Sequence, residues 1–282
     1  MHHTERWPLG IFASLDEGLG ARLEMVRELG VPTLHLHAPS AGLRTPQKTD
    51  EFKRHLLDLG LTVTAVFGGF AGESYADIPT ARATVGLVPE STRSDRLREM
   101  REIADFAATL GCSVAALHLG FIPESHTDPA FAALVEITGD LCDYCAARSQ
   151  AVHLETGQET ADELEQFLYA VNRDNLFVNF DPANMILYGT GEPIPALRQV
   201  GRFVRSVHCK DAQWAARPGH EWGTEVALGR GDVDWDAFLK TLDEIGYRGP
   251  LTIEREIPQV PDQQRREIQH AVDWLTSRRQ PY

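Results

Sequence analysis

Residues 151–181 read AVHLETGQETADELEQFLYAVNRDNLFVNFD, and the fold is decided there. Two short apolar, β-branched runs, 151–156 and 176–181, flank an amphipathic stretch. Strand, helix, strand in that order is a βαβ unit, whose crossover helix covers one face of a parallel sheet. Each run closes on a carboxylate, Glu155 and Asp181, and these stand 26 residues apart, about one βα repeat.

Working outward, the same unit recurs along the chain. Strand candidates fall at 9–14, 33–38, 61–67, 113–119, 151–156, 176–181, 204–209 and 250–255, each followed by a helical pattern or a loop leading to one. In LREMREIADFAATL, Leu97, Met100, Ile103, Ala104, Ala107 and Leu110 recur at helical spacing, as do Trp235, Phe238, Leu239, Leu242 and Ile245 in DWDAFLKTLDEIG. Asp234 is placed to cap the second helix and Gly246 to stop it. Eight such units predict an α/β protein with one closed (β/α)₈ barrel over residues 1–282, near the ~250 residues that this fold takes.

Side-chain alternation along the later strands tells which residues enter the barrel. VHLETG (152–157), VNFDPAN (178–184), SVHCKD (206–211) and LTIERE (251–256) place Leu154, Phe180, Val207 and Ile253 toward the helices. Glu155, Asp181, His208 and Glu254 then face inward at the C-terminal ends of strands five to eight, where barrel active sites lie. Two residues earlier on that face stand His153, Asn179, Ser206 and Thr252, all polar, where a purely structural interior would carry branched apolar residues. Cys209 points the opposite way from His208.

Three carboxylates and an imidazole converging at one mouth repel one another and are poorly solvated unless a cation joins them. Glu155, Asp181, His208 and Glu254 are therefore the candidate ligands of one divalent cation. Three oxygen donors, one nitrogen and no thiolate suit Mn²⁺, Mg²⁺ or Co²⁺ better than structural zinc, with Mn²⁺ the first expectation.

These segments, with LGRGDVDWDAF (228–238), resemble the signature segments of the xylose-isomerase-like TIM barrels, and the resemblance covers nearly the whole chain. That group includes ketose 3-epimerases, hydroxypyruvate isomerase, dehydroshikimate dehydratase and type-four apurinic endonucleases. The resemblance implies a single Mn²⁺-like ion on Glu155, Asp181, His208 and Glu254, with Glu155 and Glu254 also moving protons. There are departures. Asn184 stands where many epimerases and endonucleases have a histidine, and it joins the substrate-binding candidates. GTEVALG offers Glu225 where the endonucleases have zinc-binding histidines, which argues against a trinuclear DNA-cleaving site. Trp214 occupies the place of the epimerases' arginine.

The expected activity is a sugar epimerase or isomerase acting on a ketose or related keto-polyol through an enediolate. A lyase that removes water from a keto-sugar or dehydroshikimate-like substrate is the alternative. His37 and His118 are substrate-contact candidates, with hydrogen-bonded interior histidines as the structural alternative. Two long loops, 68–92 and 212–232, bring Phe70, Tyr75, Trp214 and Trp222, either to cover a sugar face or to pack the loops. Lys210 and Asp211 read as a surface ion pair, or Asp211 as a support that orients a ligand or the loop, and Gly229-Arg230-Gly231 as a phosphate cradle or an ordinary turn. Gln158 and Glu159 reach substrate or begin the next helix.

A net charge of −14 disfavours nucleic acid and anionic membranes as partners and leaves a small-molecule sugar or polyol; a homo-oligomer is compatible with it. No membrane span and no signal-peptide core is seen, so a cytoplasmic location is expected, with the four cysteines as thiols.

Overall fold

The computed structural model describes residues 7–16, 20–257 and 260–279. Among them the strands are β1 (Leu9–Ala13), β2 (Thr33–His37), β3 (Thr62–Gly68), β4 (Val114–Leu117), β5 (Ala151–Glu155), β6 (Leu176–Phe180), β7 (Val204–Cys209), β8 (Asp211–Gln213), β9 (Thr224–Val226) and β10 (Leu251–Ile253). Eight of these close a barrel in the order β1-β10-β7-β6-β5-β4-β3-β2, every pairing parallel. The predicted (β/α)₈ barrel is the observed one, with each predicted strand in place to within a few residues at its ends.

The alternation works as the sequence requires. Leu154, Phe180, Val207 and Ile253 are buried against the helical layer, and Phe180 meets Phe238 of helix Trp235–Glu244 at 6.3 Å between ring centroids. Asp234 caps that helix by accepting from the Ala237 N–H, and Gly246 adopts a left-handed φ of 74° just beyond it. Register fixes the interior rows: Glu155 pairs with Asn179, Asn179 with Ser206, and His208 with Thr252. Residues in one row face the same side, so the polar set enters the barrel together.

β8 and β9 form an antiparallel pair in the loop between β7 and helix Trp235–Glu244. The carboxylate of Asp211 organises this loop. Its Oδ2 accepts from the N–H groups of Gly229 and Gly231 and from Trp235 Nε1, while Oδ1 accepts from Ala212 and Val233. Asp211 and Lys210 are both buried, so the surface ion pair is ruled out, and Asp211 is a loop support. The Gly-Arg-Gly segment is likewise a turn, because its glycine N–H groups already donate to Asp211. Residues 18–23, GLGARL, lack the third glycine of a dinucleotide fingerprint and read as a turn and helix start; residues 18 and 19 lie outside the described residues, and helix Leu23–Glu28 starts at the segment's end. Cys142 and Cys145 are buried thiols in helix Pro129–Ala146, as expected of a helix interior. No helix among the described residues is long and apolar enough to cross a membrane.

Asp211→Ala would strand several buried donors at once. We predict a loss of roughly 2–4 kcal/mol in urea unfolding, given the cost of each unsatisfied buried group. A loss below about 0.5 kcal/mol, the usual limit for a surface change, would contradict this role.

Candidate metal centre

Glu155 ends β5, Asp181 follows β6, His208 is the penultimate residue of β7, and Glu254 follows β10. All four are buried, and one potential ligand atom from each lies within 4.8 Å of every other. Glu155 Oε1 and Glu254 Oε2 approach the same nitrogen, His208 Nδ1, at 2.6 and 3.2 Å. Asp181 also caps helix Pro182–Tyr188, its Oδ1 accepting from the N–H groups of Ala183 and Asn184 at 2.8 and 3.1 Å.

Its other oxygen, Oδ2, is buried with no hydrogen-bond partner among the described residues. A buried carboxylate oxygen with nothing to accept is costly unless something positive completes it. That orphan atom, with two glutamates and an imidazole nitrogen within reach, fits a divalent cation of the oxygen-preferring kind.

With no cation on these residues, the protein's own charged groups set their protonation. Burial pushes the Asp181 carboxyl well up, with Glu254 and Glu155 adding to the rise against Lys210. Burial works to lower His208, yet Glu254 and Glu155 outweigh it and hold the imidazole well above its usual range. For Glu254, burial works to raise the carboxyl, and Lys210 and His208 overcome it and hold it well below the usual range. His35 is pushed well down by burial and by His208 and His153.

Glu155 and Glu254 line the floor of a cavity of about 380 Å³, with Asp181 and His208 fully buried beside them. His37, His118 and Asn184, the substrate-contact candidates, all line it. His118 Nε2 lies 3.2 Å from Glu155 Oε2 while its Nδ1 has no partner among the described residues, and His37 Nδ1 is likewise unpartnered. Asn184 bridges the floor: its amide donates to Glu155 Oε1 at 3.4 Å and its oxygen accepts from Lys210 at 3.3 Å. Gly157 has a φ of 143°, and a Cβ there would meet Asn184 Cβ at 2.6 Å, so glycine lets the turn after Glu155 close onto Asn184.

The aromatics divide. Tyr75 and Trp222 line the cavity, and Trp222 Nε1 is buried without a partner among the described residues. Phe70 is buried in the core beneath Arg96, and Trp214 packs against the core away from the cavity, so these two serve loop packing. Gln158 accepts from the Gly120 N–H and donates to the Tyr188 hydroxyl, and neither it nor Glu159 reaches the cavity. Glu159 is buried just before helix Ala161–Val171, its carboxyl raised to about 8 by that burial.

Three contributors escape a reading of the sequence alone. Lys210 is buried, bonds Glu254 at 3.2 Å, and pairs also with Glu256. Glu225 lines the cavity and is held by Arg255 at 2.7 Å. His35 Nδ1 sits 3.0 Å from His208 Nε2. Alternation from His208 signals Lys210, but only the fold shows that it is buried against Glu254.

Comparisons with known proteins agree with this architecture. The family model described as xylose isomerase-like TIM barrel matches residues 23–278. The crystal structure of a xylose isomerase domain protein from Planctomyces limnophilus is 56% identical, superposes with a TM-score of 0.94, and covers 96% of this chain and 97% of that one. An inosose dehydratase from Clostridium beijerinckii is 25% identical over 115 residues, 37% of this chain, and the chain spans only 38% of that protein. D-psicose 3-epimerase from Clostridium cellulolyticum H10, solved with D-tagatose, shares the fold at 19% identity, with a TM-score of 0.70 and 95% and 97% of the two chains covered.

The Asp181 geometry makes a prediction for chelator-treated protein. In Asp181→Asn the amide oxygen keeps the helix cap while the amide nitrogen, replacing the orphan oxygen, donates toward the glutamates. Relief of ~1–3 kcal/mol would raise Tm by roughly 2–6 °C. Because the folded pKa of Asp181 lies above its unfolded value of 3.8, its stability contribution is present at low pH and fades as pH rises through the folded pKa. The gain of the variant over wild type should therefore be larger at pH 8 than at pH 5. A lower Tm for the variant at both pH values would contradict the assignment.

Proposed function

The chain belongs to the xylose isomerase-like TIM-barrel family, and from that premise we propose that it is a divalent-metal-dependent enzyme that epimerises or isomerises a ketose or related keto-polyol. The observation that carries the reading is the meeting of Glu155, Asp181, His208 and Glu254 in one cluster, two of whose members, Glu155 and Glu254, line a cavity with three further polar candidates. At about 380 Å³ the cavity suits a small molecule. A divalent ion on these four residues, Mn²⁺ first, with Mg²⁺ and Co²⁺ as the other candidates, would polarise a carbonyl and a neighbouring hydroxyl and so acidify the adjacent carbon.

The protein's own groups divide the remaining work. Glu155 is the proposed base, with His118 against its Oε2 to steady the carboxylate and to take part in proton exchange with substrate hydroxyls. Glu254, which reaches the same His208 nitrogen from the end of β10, would return a proton from a second direction, as inversion of the carbon requires. His37 and Asn184 supply hydrogen bonds to hydroxyls, and Tyr75 and Trp222 supply apolar walls.

A specific observation favours a second reading, elimination of water from a keto-polyol. The Lys210 ammonium lines the cavity 3.2 Å from Glu254, where it would protonate a departing hydroxyl after Glu155 takes the carbon-bound proton. The partial match to inosose dehydratase supports this route. Both readings share the first step, proton removal beside a carbonyl.

Turnover of free ketoses, their phosphates and keto-inositols in D₂O with Mn²⁺ tests that step. We predict deuterium on the carbon beside the carbonyl, in an epimer or isomer for the first reading and in recovered substrate or an unsaturated product for the second. Product formed without solvent label would indicate a hydride shift and overturn the shared step. Glu155→Gln and Glu254→Gln should each lower turnover by ~10²–10⁴-fold. Near-normal rates in both variants would place the bases elsewhere.

A further inference from the structure

His208 is held from two sides. Its Nδ1 faces Glu155 and Glu254, while its Nε2 lies 3.0 Å from His35 Nδ1, and His35 Nε2 lies 3.4 Å from Thr252 Oγ1. All of these residues are buried. We propose that His35 is a positioning residue of the metal centre: its Nδ1 accepts the Nε2 proton of His208 and so leaves the Nδ1 lone pair of His208 turned toward Glu155, Asp181 and Glu254 for a divalent cation. The inference rests on the reading of those four residues as metal ligands.

The requirement follows from imidazole chemistry. A neutral ring carries one proton on one of two nitrogens, and only the unprotonated nitrogen can ligate. For Nδ1 to ligate, the proton must sit on Nε2, where burial without an acceptor would cost about 1–3 kcal/mol. His35 supplies the acceptor. Accepting at Nδ1 places its own proton on Nε2, and Thr252 Oγ1 is the group that faces it. The hydrogen-bonded row therefore selects one tautomer of each ring.

The surroundings suit a positioning role. His35 comes from β2, separated from β7 around the barrel by β1 and β10. Gly10 on β1 keeps the interior open between them, since a Cβ there would stand 2.8 Å from Thr252 Oγ1. Phe12 and Phe67 flank the His208 ring at 5.4 and 4.9 Å between centroids, and Phe67 also lies 5.2 Å from the His35 ring. These rings fix the imidazole planes, and the hydrogen bond from His208 to His35 fixes which edge of His208 meets the carboxylates.

Calorimetric titration of the protein with Mn²⁺ separates this role from simple packing. Asn in place of His35 sets an amide oxygen near the position of Nδ1 but fills less space; Leu fills the space and accepts nothing. His35→Leu should weaken Mn²⁺ binding ~10–100-fold, while His35→Asn should stay within about threefold of wild type. A packing role predicts the reverse order. Mn²⁺ affinity in His35→Leu equal to wild type, or an Asn variant as weak as the Leu variant, would overturn the proposal. If the Leu variant does not fold, His35→Phe keeps a ring without an acceptor and should show the same weakening; wild-type affinity there overturns the proposal. Wild-type protein that binds no Mn²⁺ would instead remove the metal reading and this inference with it.

Discussion

Three carboxylates and one imidazole are buried within a few ångströms of each other at the C-terminal end of the barrel, and that crowding constrains everything around them. Removing a carboxylate from water costs several kcal/mol even after relaxation, and like charges add to the cost. The protein's own cations answer part of it: Lys210 against Glu254, and His208 between the two glutamates. Nothing among the described residues answers the second oxygen of Asp181. A divalent ion on these residues would meet that need.

The scaffold follows from the same demand. Strands β5, β6, β7 and β10 are apolar on the helix-facing side and polar on the other, so burying Leu154, Phe180, Val207 and Ile253 forces the polar set into the barrel. Within it the polar groups find one another, as in the 2.8 Å hydrogen bond between His153 Nδ1 and Ser206 Oγ. The loop after β7 is tied down by Asp211, which leaves Lys210, Trp222 and Glu225 standing over the floor. Hydrophobic burial thus sets the direction of each side chain, and the charged centre gains its geometry from that.

Much of this was legible in the sequence because it depends on local periodicity. A two-residue alternation fixes which way Glu155 and His208 point, and a spacing of 26 or 27 residues puts successive ligand candidates on neighbouring strands. The eight strands and the cap at Asp234 are of the same local kind. What stayed hidden depends on contacts across the barrel or between loops. His35 and His37 look equivalent in TLHLHAP, but strand position puts His35 beside His208 and His37 at the cavity wall. Lys210 shares the inward parity of His208, but periodicity does not tell that it is buried and paired with Glu254 across the mouth. Phe70 and Tyr75 share one loop, and only packing decides that the first enters the core and the second the cavity.

The direct test of the central claim is anomalous diffraction from crystals grown with Mn²⁺. The account predicts one strong peak per chain, bounded by Glu155, Asp181, His208 Nδ1 and Glu254 at ligand distances. Full-occupancy density elsewhere with this site bare, or several peaks arranged as a cluster, would contradict it.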